Sequence, residues 1–169
     1  EYDIRGIWNE DITEEISYYI GRAYATKLLS LKKNKMIVGY DNRLSSPIIE
    51  KNLVKGLTDG GVDVVRLGLV TTPMYYYAWD KLNIHCGIMI TASHNPKEYN
   101  GFKMSYNGIH NCFGNEVAEL YYIILNGIYS KGNGSITDAN IKEDYIKMIN
   151  SHINMGSNKL KVIYDCGNG

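Results

Sequence analysis

The chain has 169 residues, of which 44% are hydrophobic, 21% charged and 11% aromatic. That suffices for one globular domain with a real core, or one domain plus the start of another. Eighteen Lys and Arg balance eighteen Asp and Glu, so no global field draws in nucleic acid or an anionic membrane, and any bound anion needs a local site. No apolar run reaches the roughly eighteen residues of a membrane span, and the acidic N-terminus is not a signal sequence. The expectation is a soluble, cytoplasmic chain with no nucleic-acid and no membrane partner.

Along the chain, Asp11 or Thr13 can cap a helix, with Glu14 and Glu15 in its positively polarised first turn. Ile16, Tyr19, Ile20, Ala23, Leu28 and Leu31 share one face, which predicts an amphipathic helix over 13–31. Met36 to Gly39 reads as a short strand ending in the polar loop Tyr40-Asp41-Asn42-Arg43. Ser46-Pro47 then starts a helix that Gly60-Gly61 closes. Val62 to Leu67 is a second strand, Thr72-Pro73 opens another helix, and Gly87 to Ile90 is a third strand. The Asn107-Gly108 turn predicts a hairpin over 101–111, with an antiparallel edge. Helices follow over 115–129 and 139–153, joined by the polar loop 130–138, and Leu160 to Tyr164 reads as a last strand.

Short apolar strands alternating with helices predict an α/β fold, a mixed, largely parallel sheet sandwiched between helices. Ligands in such folds gather at the carboxyl ends of the strands. Cys86, Cys112 and Cys166 form no Cys-x-x-Cys pair and read as buried or partly buried thiols. His85, His110 and His152 belong to no constellation.

The carboxyl end of the third strand runs into Thr91-Ala92-Ser93-His94-Asn95-Pro96-Lys97-Glu98-Tyr99-Asn100-Gly101-Phe102-Lys103. Pro96 ends strand pairing, so Ser93 to Asn95 should form a tight exposed turn. Three readings stand side by side. The stretch is an ordinary polar loop; or Ser93 is a hydrolase nucleophile, although no Gly-x-Ser-x-Gly elbow is present; or the serine carries a phosphoryl group whose charge Lys103 and nearby amides stabilise.

These thirteen residues closely resemble the active-site serine loop of the α-D-phosphohexomutases, the phosphomannomutase/phosphoglucomutase family. Four more stretches match in order: Glu1-Tyr2-Asp3-Ile4-Arg5-Gly6, Gly39 to Pro47, Gly68-Leu69-Val70-Thr71-Thr72-Pro73, and Asp165-Cys166-Gly167-Asn168-Gly169. Tyr40 departs from the pattern, since relatives often carry Arg there. The resemblance implies a four-domain enzyme, with 1–155 as domain I, the phosphoserine domain, and 156–169 as the truncated start of domain II. Domains II–IV would be its partners, and a fragment of this kind would be inactive alone.

The implied chemistry is phosphate exchange between C1 and C6 of a hexose, through phosphorylated Ser93 and a hexose 1,6-bisphosphate. The resemblance also implies Mg²⁺, bound by a phosphoserine oxygen and by an Asp-x-Asp-x-Asp loop that these residues lack, so Ser93 is the only metal ligand here. Lys103 matches an active-site lysine that acts as general acid or base or as electrostatic support. Arg5 and Tyr2 match residues that reach the site from the N-terminal segment. His94 donates to the phosphoryl oxygens or orients the loop, Asn95 borders the serine, and Arg43 with Asp41 reads as a structural loop pair. The wording of the motifs favours mannose or glucose phosphates over a phosphoglucosamine mutase. A serine hydrolase and a non-catalytic binding domain remain as alternatives.

Overall fold

Thr13 ends an extended segment, and its hydroxyl accepts the Ile16 N–H at 3.1 Å, which starts α1 (Glu14–Ser30). Of the two candidate caps, Thr13 is therefore the one used. Asp11 instead accepts the Ile7 N–H at 2.9 Å and closes the preceding turn. The computed structural model describes residues 3–108, 110–154, 156–157 and 159–167. Around α1 it places β1 (Ile4–Ile7), β2 (Lys35–Tyr40), α2 (Ser46–Asp59), β3 (Asp63–Leu69), α3 (Thr72–Leu82), β4 (Gly87–Ile90), β5 (Tyr99–Ser105), α4 (Asn115–Asn126), β6 (Ile136–Asp138) and α5 (Lys142–His152).

The strands form one six-stranded sheet in the order β1-β5-β4-β2-β3-β6. The pairs β4/β2, β2/β3 and β3/β6 are parallel, whereas β5 runs antiparallel to both β4 and β1. Side chains alternate across the sheet, as the strand repeat requires. Val38, Ile88 and Ile90 enter a core with Ile20, Tyr24 and Leu28 of α1 and Leu53 and Leu57 of α2. Ile37 and Met89 point the other way, against Tyr75 and Trp79 of α3. Each such buried side chain contributes about 1.5–3 kcal/mol relative to exposure, so the two layers of helix hold the sheet from both faces.

Several expectations change. The Asn107-Gly108 turn closes only a single bridge, Asn107 with His110, because β5 satisfies its backbone on β4 and β1 rather than on a following strand. No strand forms at 160–164, where Leu160 and Ile163 lie exposed: an apolar run becomes a strand only against a partner edge, and this one pairs with none among the described residues. The helices expected over 115–129 and 139–153 are shorter, and α4 stops at Gly127, whose φ of 63° supplies the left-handed cap. Among the described residues, no helix is long and apolar enough to cross a membrane.

Cys86 and Cys112 are buried, and burial pushes both thiols up, Cys112 to about 12. They are inert core residues. Cys166 is exposed, unlike its expected place.

Candidate active site

Parallel pairing puts Tyr40, the last residue of β2, beside Ile90, the last of β4. The two loops that follow, 41–45 and 91–98, therefore leave the sheet side by side. They border an open cleft of about 800 Å³ whose lining includes Trp8, Asn42, Arg43, Ser93, Asn95 and Lys97. This is the carboxyl end of the parallel strands, where the topology leaves room for a ligand.

Ser93 is exposed at the cleft and has a φ of 56°. A non-glycine residue rarely adopts this left-handed conformation, and it needs support. Support comes partly from the Ser93 N–H, which donates to Thr91 Oγ1 at 2.9 Å. The Ser93 hydroxyl lies 3.4 Å from His94 Nδ1. Among the described residues no carboxylate forms an ion pair with His94, so the hydroxyl–imidazole contact lacks the third member of a hydrolase triad.

β1 supplies the second group. Its register sets Arg5 opposite Gly101 of β5, two residues before Lys103. A Cβ at position 101 would come 3.1 Å from Arg5 Cγ and still closer to the Ile4 carbonyl oxygen, so the glycine permits both the strand pairing and the path of Arg5. Arg5 Nη1 donates to Asn95 Oδ1 at 2.9 Å, and Nη2 donates to Asp3 Oδ2 at 3.3 Å. Lys103 Nζ lies 3.2 Å from the same Asp3 oxygen. The Asp3 side chain is 3% exposed, and its Oδ1 has no hydrogen-bond partner among the described residues. Asp3 thus gathers two cations from two strands on one carboxylate. The Trp8 N–H, donating to Glu98 O at 2.8 Å, ties the same N-terminal segment to the far end of the serine loop.

The structure accordingly brings Arg5, Asn95 and Lys103 together and sets Ser93 beside His94. Tyr2, the remaining expected site residue, lies outside the described residues. Other participants escape a reading of the sequence alone. Asn100 is fully buried in β5; its Nδ2 donates to Ser45 Oγ at 2.7 Å and Ser46 Oγ at 3.0 Å, and its Oδ1 accepts the Gly101 N–H at 2.8 Å. Ser46 Oγ in turn donates to Asp41 Oδ1 at 2.8 Å. Ser46, read from the sequence as the cap before Pro47, is instead the first residue of α2; Ser45 holds the N-cap position without a side-chain cap hydrogen bond, and both hydroxyls serve this network. The available signal was Asn100 itself, since a polar side chain inside an apolar strand must find partners. Arg43 pairs with Asp41 as expected, and it also reaches across to the serine loop.

Fold and site together define an α/β/α domain that presents a serine, flanked by an imidazole and paired cations, at the carboxyl ends of parallel strands. The family model for phosphoglucomutase/phosphomannomutase, alpha/beta/alpha domain I, matches residues 1–127, and the chain belongs to this family. It is 43% identical over 169 residues to a phosphomannomutase/phosphoglucomutase of Pseudomonas syringae pv. tomato, covering 99% of this chain and 36% of that relative. A phosphoglucosamine mutase of Caldicellulosiruptor bescii is 36% identical over 176 residues, covering 98% of this chain and 39% of the relative. Among solved structures, a phosphoglucomutase/phosphomannomutase family protein from Burkholderia thailandensis superposes with a TM-score of 0.85 at 32% identity, over 90% of this chain and 35% of that one. The chain thus spans little more than a third of the length of these relatives.

Proposed function

We propose that this chain is the phosphoserine domain of a cytoplasmic phosphohexomutase, which interconverts the 1- and 6-phosphates of mannose or glucose. Domains II–IV, partners in the same enzyme, would begin near residue 156. The observation that carries the proposal is the exposed Ser93 hydroxyl, held in a left-handed turn beside a His94 that no carboxylate among the described residues supports, in a site where Asp3 draws together Arg5 and Lys103. Such a serine is a poor nucleophile for acyl transfer and a good carrier of phosphate. The higher identity to a phosphomannomutase/phosphoglucomutase than to a phosphoglucosamine mutase favours the hexose phosphates.

Transfer from phosphorylated Ser93 breaks the Oγ–P bond and forms a new O–P bond to the C1 or C6 hydroxyl, whose proton must leave. The product is a hexose 1,6-bisphosphate, which returns its other phosphoryl group to Ser93 after reorienting. Little covalent work falls to the protein, so catalysis rests on position and charge. Arg5, a multidentate donor, binds phosphate oxygens. Lys103 supports the charge in transit or exchanges the sugar-hydroxyl proton. His94 donates to the phosphoryl oxygens or orients the loop, and Asn95 aligns Arg5.

Among the described residues, no three His, Cys, Asp or Glu side chains converge as a metal site. The donor set here does not hold Mg²⁺ by itself: an oxygen of phosphorylated Ser93 would be its one ligand from this chain, and the others would come from domain II. Bound there, the ion would neutralise phosphate charge.

Intact-mass and phosphopeptide measurements on the full-length protein should place phosphate on Ser93. Ser93→Ala should abolish hexose phosphate mutase turnover, and a loss in kcat of less than about tenfold would sink the proposal, because the covalent carrier is gone.

A further inference from the structure

A guanidinium carries five N–H donors in a fixed planar fork. Arg43, whose side chain is 12% exposed, uses all five. Nη1 donates to the main-chain oxygens of Pro96 at 2.6 Å and Tyr99 at 2.9 Å. Nη2 donates to those of Asn95 at 2.7 Å and Ser93 at 3.1 Å. Nε completes the set on Asp41 Oδ2 at 3.2 Å. Four carbonyl dipoles of the serine loop therefore end on one cation that comes from a different crossover loop.

This convergence has a geometric consequence for Ser93. With the carbonyls of residues 93, 95, 96 and 99 turned toward Arg43, the loop wraps the guanidinium. Ser93 is held in its left-handed conformation by its own carbonyl on Arg43 and its own N–H on Thr91. The clamp is anchored behind. Asp41 Oδ1 accepts both the Arg43 N–H at 3.2 Å and the Ser46 hydroxyl at 2.8 Å, and Ser46 accepts from Asn100, the second residue of β5. The outgoing end of the loop is thereby tied to the base of the arginine that grips its middle.

We infer that Arg43 is the positioning residue for Ser93. It touches no reacting atom; it sets where the serine Oγ, and any phosphoryl group on it, stands relative to Arg5 and Lys103. The inference rests on the phosphoserine reading proposed above. A carrier that must both receive and donate a phosphoryl group needs the same Oγ position in both directions. The loop's own backbone bonds, Asn95 N–H to Ala92 O and Tyr99 N–H to Pro96 O, close two turns but leave the Ser93 carbonyl to Arg43. Lysine cannot substitute. An ammonium offers three donors from one point and does not match four carbonyls and a carboxylate spread around a fork.

The test uses the full-length protein and the variants Arg43→Lys, Arg43→Ala and Ser93→Ala. The readouts are mutase turnover, single-turnover phosphorylation of dephosphorylated Ser93 by a hexose 1,6-bisphosphate, and thermal unfolding. Arg43→Lys should slow phosphorylation of Ser93 about 100-fold, the scale of a small misplacement of a reacting group, while KM stays within about threefold. Guanidinium ion added to Arg43→Ala should restore at least about tenfold of the lost rate, and methylammonium should not, since only the former has the planar fork. Phosphorylation of Arg43→Lys within about threefold of the wild-type rate, or a loss confined to KM, overturns the inference. If Arg43→Ala does not fold, Arg43→Lys alone decides, because it keeps the stem and the charge. Turnover by Ser93→Ala would instead overturn the phosphoserine reading itself, which separates the two failures.

Discussion

Asp3 and Lys103 meet through the same carboxylate oxygen that receives Arg5, at 3.2 Å and 3.3 Å respectively. Asp3 is the buried member of the trio, at 3% side-chain exposure against 17% for Lys103 and 27% for Arg5. Its backbone is left-handed, with a φ of 66°, a conformation Asn and Asp tolerate better than most residues. Asp3→Asn keeps shape and backbone tolerance while removing the charge. The released cations are partly exposed and can rehydrate, so stability should change by no more than about 1 kcal/mol. The two cations should no longer be held together, and kcat of the full-length protein should fall about 10- to 100-fold. Paired thermal and steady-state measurements check this; an unchanged kcat would show that the carboxylate does not organise the site.

Asn100 links β5 to both serines at the start of α2. Asn100→Ala leaves those hydroxyls and the Gly101 N–H short of a partner in a buried place. The expected cost is about 2–3 kcal/mol in urea unfolding. Activity should fall as well, because Ser46, which donates to Asp41 and so supports Arg43, would lose its anchor on Asn100.

Helices α1 and α2 touch backbone to backbone at two glycines. A Cβ on Gly56 would strike the Tyr18 carbonyl oxygen and come within 3.0 Å of the Arg22 nitrogen, and one on Gly21 would strike the Leu53 carbonyl oxygen. Alanine gains up to about 1 kcal/mol over glycine as a helix former. Overpacking against an immovable backbone should outweigh that gain, leaving Gly56→Ala net destabilised by about 1–3 kcal/mol. A stabilised Gly56→Ala in chemical denaturation would mean that the helices can part without loss.

Glu50 of α2 is buried, and its Oε1 has no hydrogen-bond partner among the described residues. Desolvation raises its carboxyl above the ordinary 4.5, against the partial relief of Arg66. A carboxyl raised on folding favours the protonated form. Its contribution to stability is therefore best below the unfolded value and is lost as pH rises through the folded one. Glu50→Gln should be more stable than wild type at pH 7, and the difference should vanish as pH falls below about 4.5. Urea titrations of the two proteins at several pH values test the sign.

Much of this domain is legible from its residues taken in order, because helices α1, α2 and α3 and strands β2, β3 and β4 each carry a local period, a cap or a glycine stop. The Ser93 turn is legible for the same reason, since Pro96 and the polar run around it break the strand where β4 ends. Other features have no local period to betray them. β1 and β6 are short edge strands, formed only because β5 and β3 offer them a partner. Asp3 lies 100 residues from Lys103, and Arg43 about 50 from the carbonyls it binds, so their meeting depends on strand order and register. Sequence determined the first three helices, the central parallel strands and the serine loop that breaks β4. Tertiary structure decided which charges face one another, because an ion pair or a hydrogen bond depends on distance in space and leaves no period along the chain.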